Sequence, residues 1–126
     1  MPEISGLNDD AQKAMASDTT IDITTAGTRS GQQRKTEIWF MFIEGRVFIT
    51  GTPGRRDWYA NLVANPDFTF HLKESAQIDL PARAVPVTDA AERERVLSAP
   101  ETEWYRGQAT MEQLVACSPM VEVHFQ

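Results

Sequence analysis

One cysteine, two histidines and no apolar run of membrane-spanning length set the first limits on this chain of 126 residues. A lone Cys117 permits no intramolecular disulfide, and a reducing compartment is its simplest setting. It lies in the apolar run Leu114-Val-Ala-Cys, so a small buried hydrophobe is expected there rather than a thiolate nucleophile, which needs a cationic neighbour. His71 and His124 are far apart and stand beside no cysteine or carboxylate cluster, so the spacing offers no metal site. No Ser–His–Asp order or Cys–His pairing appears either. Roughly 20 consecutive apolar residues would be needed for a membrane helix, and none occur. The acidic opening Met1-Pro-Glu-Ile-Ser-Gly-Leu-Asn-Asp-Asp also lacks the apolar core of a signal peptide. A cytoplasmic location is the expectation. Positive charge is scarce: 12 Lys and Arg against 18 Asp and Glu leave a net charge of −6, which argues against nucleic acid or an anionic membrane as partner.

The few cations are clustered. Arg29, Arg34 and Lys35 form one group and Arg55 and Arg56 another. A locally basic site on an acidic protein suits a small anionic ligand better than a polyanion. The second group lies in Ile49-Thr-Gly-Thr-Pro-Gly-Arg-Arg-Asp-Trp-Tyr-Ala-Asn-Leu-Val-Ala-Asn-Pro66, a strand that enters a Gly/Pro turn and then a helix. Backbone donors, the positive helix end and Arg55/Arg56 together would hold an anion, most plausibly a phosphate. The alternative is that both arginines are solvated and Asp57 caps the helix over Trp58–Asn65.

A chain of this length reads as one domain over 1–126, able to bury roughly two thirds of the surface its unfolded form exposes. A short helix is expected from Asn8 to Ser17, then a strand over Thr20–Thr25 stopped by Ala26-Gly27. After a polar turn, Lys35 to Ile43 reads as one long strand whose lost alternation implies burial on both faces, with core on one and a ligand, helix or second subunit on the other. Glu44-Gly45 suits a tight hairpin into Arg46–Thr50. Phe68, Phe70 and Leu72 alternate with Thr69 and His71, placing the first three in the core. Gln77 to Val87 alternates as well, but Pro81 and Pro86 restrict it to an edge or to bulges. A helix follows with Thr88 as candidate N-cap, then a helical pattern near Glu101–Cys117, and a closing strand from Val121. The class is mainly β (α+β), a small antiparallel barrel with peripheral helices.

The stretch Ile23-Thr-Thr-Ala-Gly-Thr-Arg-Ser-Gly-Gln-Gln-Arg34 and the stretch ending Trp58-Tyr-Ala-Asn-Leu-Val-Ala-Asn-Pro66 occur in a recognisable order. Together they resemble the deazaflavin-dependent nitroreductase family of the split β-barrel flavin-binding superfamily, over about Ile21 to Val87. The resemblance implies a six-stranded split barrel that binds coenzyme F-420 and passes its hydride to a hydrophobic electrophile such as a nitro, quinone or enone compound. Split barrels often pair, so a homodimer is compatible with it. By position, Arg29, Ser30 and Arg34 would form one anion-binding wall, and Thr52, Gly54, Arg55 and Arg56 the other. Trp58 and Tyr59 would pack the helix and reach toward the coenzyme. The family usually has Arg at Thr28 and Lys at Gln32, and a longer Ser-Lys-Gly-Gly loop where this chain has Gly51-Thr-Pro-Gly54. Fewer cations keep FMN, with its single phosphate, as the alternative cofactor, and a non-catalytic module for deazaflavin, haem or a lipid-like ligand as another reading. Tyr59 and Tyr105 are the candidate proton donors, though Tyr105 beside Trp104 would also serve simply to cap the barrel mouth. Trp39, Phe42 and Phe48 are candidates to line the ring, or else ordinary core.

Overall fold

The computed structural model describes residues 6–126, so the first five residues of the acidic opening lie outside it. Helix α1, Asp9–Ser17, starts where Asn8 accepts a hydrogen bond from the Ala11 N–H, with Asp9 and Asp10 at its positive end. Strand β1, Thr20–Ala26, then pairs antiparallel with β2, Gln33–Trp39. The apolar run expected as one strand is in fact two. It bends at Phe40, whose N–H turns to the Thr19 carbonyl, and resumes as β3, Met41–Ile43. Glu44 and Gly45 both take positive φ (53° and 78°), the turn type whose twist matches a two-residue hairpin into β4, Arg46–Thr50.

Helix α2 (Asp57–Ala64), β5 (Asp67–Leu72) and β6 (Ile78–Pro86) come next. Helix α3 spans Ala90–Leu97, with Asp89 rather than Thr88 accepting from the Glu92 N–H at its start. The expected helix over Glu101–Cys117 is broken into a 3-10 turn, a short α4 (Glu103–Arg106) and α5 (Met111–Cys117). Thr110 and Gln113 close a reciprocal capping box at the start of α5, so the chain restarts there. Strand β7, Met120–Phe125, ends the fold.

The strands form a seven-stranded antiparallel sheet in the order β2-β1-β5-β6-β7-β4-β3. Its first and last strands belong to one run of chain bent at Phe40, so the sheet curls back on itself as a split barrel. Seven strands stand where six were expected because of that bend. Phe68, Phe70 and Leu72 are buried, as their alternation requires, each worth roughly 1.5–3 kcal/mol. The central core also gathers Ile21, Ile23, Trp58, Leu62 and Val123, while a second cluster of Phe48, Leu97, Leu114 and Met120 lies under α3–α5. Burial on both faces belongs to β4 and β7, covered on one side by those helices, and not to β2, which is mostly exposed.

β6 is a central strand despite its prolines, pairing with both β5 and β7. A strand residue points its N–H and C=O to the same side. The Pro81 carbonyl accepts from the Gln126 N–H, so its missing donor falls beyond the end of β7, where little ladder is lost. Pro86 terminates the strand. On β7, the buried Glu122 receives both Nε and Nη2 of Arg46 at 2.8 Å, and Arg46 reaches Glu92 of α3 at 2.8 Å, tying that helix to the sheet. Burial alone would raise the Glu122 carboxyl, but the Arg46 bond prevails and holds it below the usual range.

Candidate functional site

Loop 51–56 joins β4 to α2 and carries the geometry that matters most. Its shape is set by its own arginine. The Arg56 guanidinium donates to the Thr52 carbonyl at 3.2 Å, to Thr52 Oγ1 at 3.0 Å and to the Arg55 carbonyl at 3.1 Å. Gly54 has φ +136°, and a Cβ there would lie 3.0 Å from Arg56 Nη1, so the wrap requires glycine. Helix α2 begins at Asp57 with Arg56 in the N-cap position and no side chain bonded there. Asp57 therefore does not cap the helix, and the donors of its first turn are left to a ligand or to water.

On one side of the loop lies a cavity of about 340 Å³. The end of β2 supplies Trp39, the loop Thr52 and Arg56, α2 Trp58, and α4 Trp104 and Tyr105. Trp39 and Trp104 are 47% and 54% exposed, and their rings meet edge to face at 5.5 Å. Trp104 meets Tyr105 the same way at 5.2 Å. Tyr105 is only 5% exposed. Burial pushes its phenol up to about 12, with the Arg56 charge pulling weakly the other way, so it carries its proton throughout the physiological range.

On the other side is a larger cavity of about 1090 Å³, walled by the loop, Tyr59 of α2, the start of α3 and one face of α5. Arg56 lines both cavities and Arg55 only the larger. The two candidate proton donors are thus separated, Tyr105 at the smaller cavity and Tyr59 at the larger. Cys117 is exposed and lines the larger cavity, contrary to the burial its apolar neighbours suggest, because the buried line of this turn runs from Leu114 to Ser118 and leaves Cys117 at its edge.

Arg29, Ser30 and Arg34 lie on the β1–β2 hairpin and line neither cavity. Asn61 of α2 donates to Thr25 of β1 at 3.1 Å, which sets that hairpin beside the helix. Of the three aromatics considered for a ring site, only Trp39 lines the smaller cavity. Phe48 is 1% exposed in the core and Phe42 packs against the barrel interior. Trp104 completes the aromatic wall, and its only sequence signal was its position beside Tyr105. The α5 wall was hidden by reading one helix across Gly107–Thr110, although Thr110-x-x-Gln113 is a legible helix start.

A deazaflavin with an anionic tail asks for a flat apolar slot beside cationic and N–H donors. The aromatic cavity, Arg56 and the uncapped α2 terminus fit that requirement. Among the described residues, no helix is long and apolar enough to cross a membrane.

Comparison with solved structures shows the same fold. A candidate pyridoxamine 5′-phosphate oxidase from Listeria innocua superposes with a TM-score of 0.71 at 9% identity, over 94% of this chain and 92% of that one. An F420-H2 dependent reductase gives 0.60 at 21% identity, over 85% and 95%. A chain described as a domain-swapped dimer gives 0.55 at 21% identity, over 85% and 81%. Residues 8–114 match the sequence pattern of F420H(2)-dependent quinone reductase. The chain belongs to that family, and is an F-420-dependent oxidoreductase on a split-barrel fold.

Proposed function

We propose that the smaller cavity is where reduced F-420 meets a hydrophobic electrophile of the quinone, nitro or enone type. One observation carries the reading: Arg56 and Thr52 converge with Trp39, Trp58, Trp104 and Tyr105 around a single slot. When bound, the coenzyme supplies the hydride. The chain's own residues do the rest. Trp39 and Trp104 give the ring and the acceptor apolar faces and keep water out. Arg56, Thr52 and the first-turn N–H groups of α2 hold phosphate oxygens. The exposed Arg29 and Arg34, with Ser30, attract the rest of the anionic tail from the hairpin beside α2. We assign Arg55 to the far side of the loop.

Tyr105 holds a proton at its Oη beside the slot, available to an oxygen that gains charge during reduction. Tyr105→Phe is expected to lower kcat roughly tenfold or more while leaving coenzyme affinity within about twofold. An unchanged kcat would remove that role. We also infer pairing into a homodimer, supported by the exposed β2 with its half-exposed Trp39. Sedimentation as a monomer at micromolar concentration would sink it.

The central test is a fluorescence titration with F-420, run beside FMN and haem at fixed salt. Saturable micromolar binding of the deazaflavin, followed by its acceptor-dependent oxidation, is the expected result. Preference for FMN or haem, or no binding at all, would overturn the site.

A further inference from the structure

The larger cavity is not needed for the hydride chemistry, and the loop separates it from the aromatic slot. At about 1090 Å³ it lies just above the usual range for small-molecule sites, roughly 300–1,000 Å³. Its apolar wall comes from Val87, Met111, Val115 and Ala116. Its charge is unbalanced. Three guanidinium groups, Arg55, Arg56 and Arg93, face two carboxylates, Glu94 and Glu112.

Arg93 is 8% exposed and bonded to the carbonyls of Val87, Val115 and Ser118, with no carboxylate against it among the described residues. Arg55 is exposed, and its side chain has no hydrogen bond or ion pair among the described residues. Ser118, in the same wall, is 4% exposed and its buried Oγ has no partner. The two acidic residues weigh against a polyanion, and the excess of one positive charge suits a single negative one.

We propose that this cavity is a second ligand site, for an amphiphilic monoanion whose apolar body lies against α5 and whose head group is held by Arg55. It stands independently of the coenzyme assignment. The probes are 1-anilinonaphthalene-8-sulfonate, with dodecanoate and dodecanol as competitors below their aggregation concentrations. The sulfonate is expected to bind saturably and to be displaced by dodecanoate at least tenfold more effectively than by dodecanol. Val115→Trp, which fills the cavity, should weaken the sulfonate at least tenfold yet leave F-420 affinity within twofold. Arg55→Ala alters an exposed side chain without partners, so it tests the proposal even if the tryptophan variant fails to fold. It should weaken dodecanoate at least fivefold and leave dodecanol unchanged. Equal competition by dodecanol, or indifference of the carboxylate to Arg55→Ala, overturns the site. Loss of F-420 binding alone would speak only against the aromatic slot.

Discussion

The β1–β2 hairpin and loop 51–56 look alike in sequence, each a glycine turn carrying or flanked by two arginines, yet they spend those arginines differently. The hairpin closes on its own backbone. Gly27 N–H donates to the Gln32 carbonyl at 2.8 Å, Gly31 N–H to the Gly27 carbonyl at 3.1 Å, and Gln32 N–H to Ser30 Oγ at 3.2 Å. Arg29 and Arg34 are exposed and without a side-chain partner among the described residues. Loop 51–56 lacks such a ladder and is held by the Arg56 guanidinium instead. The cation count of a motif therefore overstates the charge available to a ligand, since one arginine of the four is also scaffold.

The variant expected to have the largest effect removes that double role. Arg56→Ala loses both the clamp and the charged phosphate donor proposed above, each such contact being worth roughly 1.5–3 kcal/mol. F-420 affinity should fall roughly ten- to a hundredfold, and limited proteolysis within residues 52–56 should speed up. A fall of only twofold would show that the loop keeps its shape without Arg56, and the contrast with the hairpin would be lost. Glycine replacement comes next. Gly54→Ala combines φ +136° with the close Arg56 Nη1, so a cost of about 1–3 kcal/mol is expected. Gly31→Ala has φ +71° and open space around it, and should cost about 1–2 kcal/mol through backbone strain alone. Urea denaturation should rank the two costs in that order, and a fluorescence titration should find that only the first substitution weakens coenzyme binding. The reverse order would mean that the hairpin is the more constrained turn.

Local chemistry explains which parts of this were legible. The Glu44-Gly45 hairpin and the Phe68/Phe70/Leu72 face are written in neighbouring residues, and both stand as read. The barrel closure was not legible, because nothing local at Phe40 distinguishes a bend from a continuing strand. It is forced by a contact with Thr19, 21 positions earlier. Pro81 misled for a similar reason. Its missing N–H matters only if a partner strand faces it, and that depends on where β7 ends. The site shows the same division. Two motifs in order were enough for the family and made loop 51–56 a candidate, whereas the partition of Tyr59 and Tyr105 into different cavities depends on how α4 and α5 pack back over β4.

The smallest expected effect sharpens the comparison furthest. Arg29→Ala combined with Arg34→Ala removes two exposed guanidinium groups that hold nothing in the protein, so stability should stay within about 0.5 kcal/mol. Coenzyme affinity should fall several-fold rather than a hundredfold, because charges in water are screened and reach the anionic tail at a distance. The dependence of affinity on salt should flatten in the same variant, since part of the long-range attraction is gone. In Arg56→Ala the salt dependence should flatten less relative to the loss of affinity, because that loss also contains loop disorder, which salt does not screen. Two variants measured at low and high ionic strength thus separate an arginine that attracts from an arginine that builds. If both lost affinity with the same salt dependence, the two turns would be electrostatically equivalent, and the clamp on Thr52 would be incidental to binding.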